Sequence, residues 1–217
     1  MADGDHESRF LPGLLAGHLI AGLDEAGRGP LAGPVVAAAV VLDPARPITG
    51  LDDSKRLDER RRDALFQEIT AKALGVGVAS KEAHEIDEQN ILRASLHAMR
   101  DAFLACEAAA GRTIAGALVD GNQLAPLPQR VNQRAIVGGD ALCESIMAAS
   151  IVAKVTRDRR MVEEAGRYPD YGFERHKGYP TAQHRAALAT FGPCPLHRRS
   201  FATVRRQLEL LHDAVTK

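Results

Sequence analysis

Three short apolar runs in this chain close on or near an aspartate: HLIAGLD on Asp24, TIAGALVDGN on Asp120 and RAIVGGD on Asp140. Runs of this length, rich in small and β-branched apolar residues, read as buried strands. In open α/β sheets ligands bind in the crevice beyond the carboxyl ends of the strands, so acids delivered there can build one shared site. Clustered carboxylates need a reason. At an effective dielectric of about 20, two such charges ~4 Å apart repel by roughly 4 kcal/mol, which drives proton uptake or demands a cation. A hard, oxygen-seeking ion such as Mg²⁺ meets that demand while keeping waters and phosphate oxygens in its shell. Two such ions activate a water and stabilise the leaving oxygen of a phosphodiester. Any one strand-end aspartate is also well explained as a turn residue or cap. Convergence of the acids is not visible in sequence.

The rest of the chain supplies a frame for those strands. GPVVAAAVVLD and ALGVGVAS read as two more. Between them LDERRRDALFQEITAKAL places Leu65, Ile69 and Ala73 four apart, a helix with Asp58 as its N-cap. From about Asp87, residues Leu92, Leu96, Met99, Phe103 and Cys106 recur in steps of four and three, one face of a long amphipathic helix ended by Gly111. A further helix is expected from roughly Leu142 to Ala165, and Val204, Leu208, Leu211 and Val215 mark a last one. The 217 residues, 45% hydrophobic and 26% charged, are enough to bury one core. The expectation is a single domain over 1–217, with 1–16 a poorly ordered extension and about 165–217 a basic, aromatic helical region. Strands joined first by short connections and then alternating with helices argue for an α/β protein with one mixed sheet flanked by helices.

Several classes are disfavoured. The stretch from Gly29 to Leu42 has no charge, yet it is too short to span a bilayer and is broken by Pro30 and Pro34. MADGDHESRF is acidic and polar where a signal peptide is basic and then apolar. Cys106, Cys143 and Cys194 form no CxxC pair, so neither a disulfide framework nor a zinc site is suggested. A soluble, cytoplasmic protein without membrane contact is expected. Gly27, Gly29 and Gly33 in GLDEAGRGPLAGP are spaced GxGxxxG, off the dinucleotide fingerprint, and no GK[ST] follows for a P-loop. Those glycines can let backbone N–H groups approach a ligand, with Arg28 supplying a guanidinium, or can simply make a tight turn.

Charge is split along the chain. Residues 1–153 carry 15 Lys and Arg against 21 Asp and Glu, and the last 64 carry 13 against 7, so net charges of −6 and +6 face each other across a neutral total. The stretch YPDYGFERHKGYPTAQHRAALATFGPCPLHRRSF holds all three tyrosines and three of the six phenylalanines among Arg, Lys and His. Cations for phosphates and rings for sugars or bases suit a nucleic-acid strand, although core packing explains aromatics equally well. His176, His184 and His197 lack a metal-ligand spacing and read as phosphate contacts or packing residues. A hybrid-binding module without chemistry is the alternative reading that this tail leaves open.

An ordered series of motifs then resembles one family. GLDEAGRGPLAGPVVAAAVVL, DSKRL, IDEQNILRASLHAM, ALVDGN, GGD, SIMAASIVAKVTRD, YGFERHKGYPT and GPCPLHRRSF are similar, in order and separation, to the motifs of ribonuclease HII, the bacterial type 2 ribonuclease H. The resemblance implies a ribonuclease H-like fold and cleavage of the RNA strand of RNA/DNA hybrids. It further implies nicking on the 5′ side of a lone ribonucleotide in duplex DNA, with 3′-hydroxyl and 5′-phosphate ends, by a monomer using Mg²⁺ or Mn²⁺. Asp24, Glu25, Asp120 and Asp140 match the four metal-binding, catalytic carboxylates; Glu144, one helical turn on, ranks below Asp140. Gly27, Arg28 and Gly29 match the loop that reads the 2′-hydroxyl, the atom that separates RNA from DNA. Tyr179 matches the tyrosine that packs on the sugar at the RNA–DNA junction, and Lys154 and Lys177 match phosphate contacts. Arg28 separates the chain from the related type 3 enzymes, which usually carry lysine there and an added N-terminal domain. One departure is Gly138, where the family commonly has lysine two positions before the fourth acid.

Overall fold

The computed structural model describes Glu7, Phe10, Leu11 and residues 17–215. Apart from those three residues and the segment from 17 onward, the expected N-terminal extension lies outside the described residues. The chain divides into two compact units, one of residues 1–26, 36–79 and 96–155 and the other of 27–35, 80–95 and 156–217.

The first unit is built on five strands: β1 (Leu19–Ala26), β2 (Val35–Val41), β3 (Gly75–Lys81), β4 (Ile114–Asp120) and β5 (Asn132–Ile136), in the order β3-β2-β1-β4-β5. β1 runs antiparallel to β2 and parallel to β4, and β4 runs parallel to β5, so the sheet is mixed as expected. The helices in chain order are α1 (Glu59–Lys72), α2 (Ala83–Gln89), α3 (Ile91–Ala110), α4 (Glu144–Arg167), α5 (Phe173–His176), α6 (Ala182–Phe191) and α7 (Ala202–Val215).

Every residue of β2 is buried, and the period of two divides them between two cores. Ala37, Ala39 and Val41 join Ala21 and Leu23 of β1 against Ala98, Met99, Ala102, Phe103 and Cys106 of α3. Ala38 and Val40 turn to the opposite face, against Leu65 and Ile69 of α1 and Ala148, Ile151 and Val152 of α4. Each large aliphatic side chain sequestered in this way contributes roughly 1.5–3 kcal/mol. The same alternation puts Gly22 on the α4 face. A Cβ there would stand 2.1 Å from the backbone carbon of Ser145, so the absence of a side chain lets the first turn of α4 lie directly on β1.

Local chemistry explains the helix boundaries. Asp58 is the N-cap of α1, its side chain accepting from Arg61 N–H at 2.7 Å. The single helix expected from Asp87 is instead two. Asn90 adopts φ 67°, ending α2, and its side chain accepts from Arg93 N–H to cap α3. The residues of the apolar period, Leu92 to Cys106, all lie in α3, so the period carries no mark of the break. In the tail, α5, α6 and α7 make up the helical region expected there; Thr181 caps α6 by accepting from His184 N–H. Among the described residues no helix is long and apolar enough to cross a membrane.

Gly22→Ala is expected to cost at least ~2 kcal/mol of stability, the scale of overpacking against a backbone that cannot yield. Urea unfolding measures it, and a midpoint equal to that of the unsubstituted protein would show that α4 can withdraw.

Candidate active site

Parallel pairing of β1 with β4 aligns Leu23 with Val119, so the next residues, Asp24 and Asp120, stand side by side; β1 does not close on Asp24 as expected but runs on to Ala26, Asp24 still pairing with Ala38 of β2. Both fall on the face shared with Gly22 and Leu118, turned toward α4. Asp120 is also in register with Ile136, the last residue of β5. The sequence expectation of a strand closing on Asp140 needs correction: β5 ends four residues earlier, and a left-handed Gly138 turns the chain into a 3₁₀ turn over Gly139–Ala141 that carries Asp140 back. The reason is geometric, since a glycine pair reverses direction where a strand could not continue. Asp140 N–H then lies 3.3 Å from Asp120 Oδ1 as its donor. One carboxylate oxygen from each of Asp24, Asp120 and Asp140 lies within 4.8 Å of the others.

Electrostatics at this point are unfavourable to three bare charges. Burial, then the charges of Glu25 and Asp120, hold Asp24 well above the ordinary carboxylate range, while hydrogen bonds from Ser150 and Glu25 N–H pull the other way. Asp120 is raised by burial and by Asp140, against backbone N–H groups of Asp140 and Gly139 and the charge of Lys55. The remedy for Asp140 is direct: Lys55 Nζ donates to its Oδ2 at 2.8 Å, and the lysine is itself raised to about 12. Behind Asp24, Ser150 Oγ and Ser54 Oγ lie 2.9 Å apart, buried. The donor set is all hard oxygen, converging from three positions of the chain, and it fits a divalent cation such as Mg²⁺ or Mn²⁺.

Glu25 is not one of the three converging acids. It follows Asp24 on β1 and by alternation falls on the α3 face, although its charge reaches Asp24. Glu144 opens α4 and is exposed. Lys154 is half-buried in α4. Gly138, the departure from the family pattern, has φ 68° with open space around it, and Lys55 supplies a cation to Asp140 from a different loop.

The second unit holds the remaining candidates. Arg28 and Gly29 are exposed while Gly27 is buried, and a Cβ on Gly29 would come within 4.0 Å of the Tyr179 ring, so the GRG loop and Tyr179 are neighbours. The loop is held from beneath by two buried arginines. Arg198 donates to the carbonyls of Gly27, Arg28 and Gly33, and Arg157 to those of Ala32 and Pro34. Arg157 also stands 5.7 Å from the centre of the Tyr179 ring. At Gly27, φ 96° and the space a Cβ would need, 2.0 Å from Arg157 Nε, both require glycine. Burial and the charge of Arg157 lower Arg198 to about 9. Lys177 adopts φ 51° and donates to the Glu174 carbonyl. His176, His184 and His197 are buried, which supports their packing role over phosphate contact.

Sequence reasoning assigned no role to Ser54, Lys55, Ser150, Arg157 or Arg198. All five lie inside motif stretches, DSKRL, SIMAASIVAKVTRD and GPCPLHRRSF, but nothing in the local pattern distinguishes a supporting hydroxyl or cation from a surface one.

Comparison with known proteins places the chain in context. A family model described as Ribonuclease HII matches residues 21–204. A ribonuclease HII of Burkholderia thailandensis is 57% identical over 195 residues, covering 90% of this chain and 88% of the relative. One from Burkholderia pseudomallei is 55% identical over 197 residues with the same coverages. The crystal structure of ribonuclease H2 from Pyrococcus horikoshii superposes with a TM-score of 0.71 at 28% identity, covering 89% of this chain and 99% of that one.

The raised acids have a consequence for stability. In the folded state Asp24 and Asp120 hold protons more tightly than in the unfolded chain, so without a cation their contribution to stability is fully present in acid and is lost as pH rises from about 4 through the raised values. Asp24→Asn is therefore expected to raise the unfolding temperature in EDTA by ~2–4 °C, the equivalent of about 1 kcal/mol. It should also reduce the stabilisation that added Mg²⁺ or Mn²⁺ gives. Calorimetry with and without chelator checks both, and a lower midpoint in EDTA would contradict the assigned source of strain.

Proposed function

Since the chain belongs to the ribonuclease HII family, we propose that it works through two divalent cations held by Asp24, Glu25, Asp120 and Asp140. The coarser activity comes with the family: the protein is a metal-dependent hydrolase that cuts RNA endonucleolytically in RNA/DNA hybrids. The finer reading is that it also nicks on the 5′ side of a single ribonucleotide in duplex DNA, leaving 3′-hydroxyl and 5′-phosphate ends. The observation that carries the metal-ion mechanism is the meeting of Asp24, Asp120 and Asp140 oxygens within 4.8 Å.

Bound Mg²⁺ or Mn²⁺ supplies an activated water and a counter-charge for the departing 3′-oxygen. The protein's own groups prepare that chemistry. Asp24, Asp120 and Asp140 present their oxygens on one face, and Glu25 is the fourth ligand by its match to the family's carboxylate set. Ser150 and Glu25 N–H orient Asp24, and Lys55 orients Asp140. Gly27, Arg28 and Gly29 offer backbone and guanidinium donors to the minor groove, where the 2′-hydroxyl marks a ribonucleotide. Tyr179, 39% exposed, presents its ring to the sugar at the junction, and Lys154 and Lys177 neutralise phosphates. The protein acts as a monomer in the cytoplasm, without membrane contact.

Asp24→Asn and Asp120→Asn are each expected to reduce cleavage of a hybrid by ~10³-fold or more, as loss of preorganised charge at a reacting phosphate does, with hybrid binding largely kept. Gel analysis of a duplex carrying one ribonucleotide, with and without Mg²⁺ or Mn²⁺, reads both rate and product ends. Unchanged turnover would remove that acid from the mechanism; no product with any metal would favour a binding module. Tyr179→Ala is expected to impair cutting at the lone ribonucleotide more than cutting of a long hybrid. Equal losses would contradict the junction role.

A further inference from the structure

Within the second unit, three buried histidines form a connected group beside Tyr179. His184 Nδ1 lies 3.0 Å from the Tyr179 carbonyl oxygen, His184 Nε2 lies 3.1 Å from His197 Nε2, and His197 Nδ1 lies 3.0 Å from Cys194 N–H. The Cys194 thiol is a further 3.2 Å neighbour of His197 Nδ1. His184 is 0% and His197 2% exposed.

The ends of this chain fix its protons. A carbonyl oxygen only accepts, so His184 Nδ1 carries a hydrogen, and in the neutral ring Nε2 is then a lone pair. A backbone N–H only donates, so His197 Nδ1 is a lone pair and its Nε2 carries the hydrogen. The two deductions start from opposite ends and meet at the His184–His197 contact with one donor facing one acceptor. An extra proton on His184 would set two N–H groups head to head, and one on His197 would oppose the Cys194 N–H. Burial depresses both rings, His197 to about 4, and the neighbouring imidazoles push the same way. The groups around them are His176 stacked on His184, the rings of Tyr171 and Phe173, the Cys194 thiol and, beyond the thiol, the charge of Glu164; among the described residues no carboxylate bonds to either ring.

The relay ends on a turn that backbone bonds also hold, Lys177 N–H donating to the Phe173 carbonyl and Tyr179 N–H to that of His176. Lys177 and Gly178 are both left-handed, and Tyr179 follows them. Its carbonyl accepts from Thr181 N–H and from His184, while Gly178 N–H donates to His176 and the Gly178 carbonyl accepts from Leu31 N–H. We propose that His184 and His197 are positioning residues, a neutral two-ring relay that fixes the backbone of Tyr179 and so aims its ring at the sugar of a ribonucleotide junction. This rests on the proposed junction role of Tyr179.

Two measurements test it on the full-length protein. The ¹⁵N spectra of the histidines at pH 7, assigned with single-histidine variants, should show His184 protonated at Nδ1 and His197 at Nε2; reversed tautomers or a doubly protonated ring would overturn the relay, and no substituted protein is needed for the reading itself. In the second, the ratio of kcat/KM for a lone-ribonucleotide duplex to that for a long hybrid is compared across variants. His184→Leu should lower the ratio about tenfold, the worth of one oriented contact, and His184→Asn, which keeps a donor for the Tyr179 carbonyl, should restore it to within about threefold. Added to Tyr179→Ala, His184→Leu should lower the ratio no further. A merely structural histidine would lower both substrates together and would not be rescued by asparagine. If Tyr179→Ala shifts the ratio while neither histidine substitution does, the relay alone is wrong; if Tyr179→Ala leaves the ratio unchanged, the junction reading fails and takes this inference with it. Should His184→Leu not fold, the asparagine variant and the tautomers still decide.

Discussion

Three acidic side chains within 4.8 Å of one another repel, and the first unit is arranged to hold them there regardless. Asp24 and Asp120 are forced together by the β1–β4 register, which their flanking apolar residues enforce through burial on both faces of the sheet. Asp140 is returned to them by a turn whose own backbone N–H bonds Asp120. Hydroxyls behind Asp24 and an ammonium on Asp140 offset part of the repulsion. Hydrophobic packing thus maintains an electrostatic configuration that would disperse if the strands were free, and a divalent cation relieves it.

The GRG loop and Tyr179 in the second unit obey a different constraint. There the difficulty is to present backbone at an exposed loop in one conformation. Arg157 and Arg198 meet it with their donors, fastening the carbonyls of residues 27, 28 and 32–34. Burying two guanidiniums side by side is costly, as the lowering of Arg198 records, and carbonyl dipoles with the faces of Tyr179 and Phe201 are what surround them. The histidine group solves the same problem for Tyr179 with neutral rings.

Much of this fold was readable beforehand. The unbroken apolar run VVAAAVV and the four-residue step of Leu65 and Ile69 are direct consequences of burial, and the structure buries those residues. The Asp58 cap was legible because a cap is a contact between residues three apart. Asn90 was not, since its left-handed backbone ends α2 while the apolar period that marks the long helix begins only after it. Nor was the turn before Asp140, where two glycines were mistaken for the end of a strand.

What the sequence alone determined was local: which segments are strands and helices, and that an aspartate stands on or soon after each of three strands, because both depend on residues within a few positions of one another. That Lys55 reaches Asp140 across 85 residues, that Ser54 meets Ser150 across 96, and that Arg198 closes on Gly27 across 171 was decided only when the chain packed. Such contacts carry no periodicity and leave no mark in the intervening sequence; they exist because burial brings distant polar groups together and each must then find a partner.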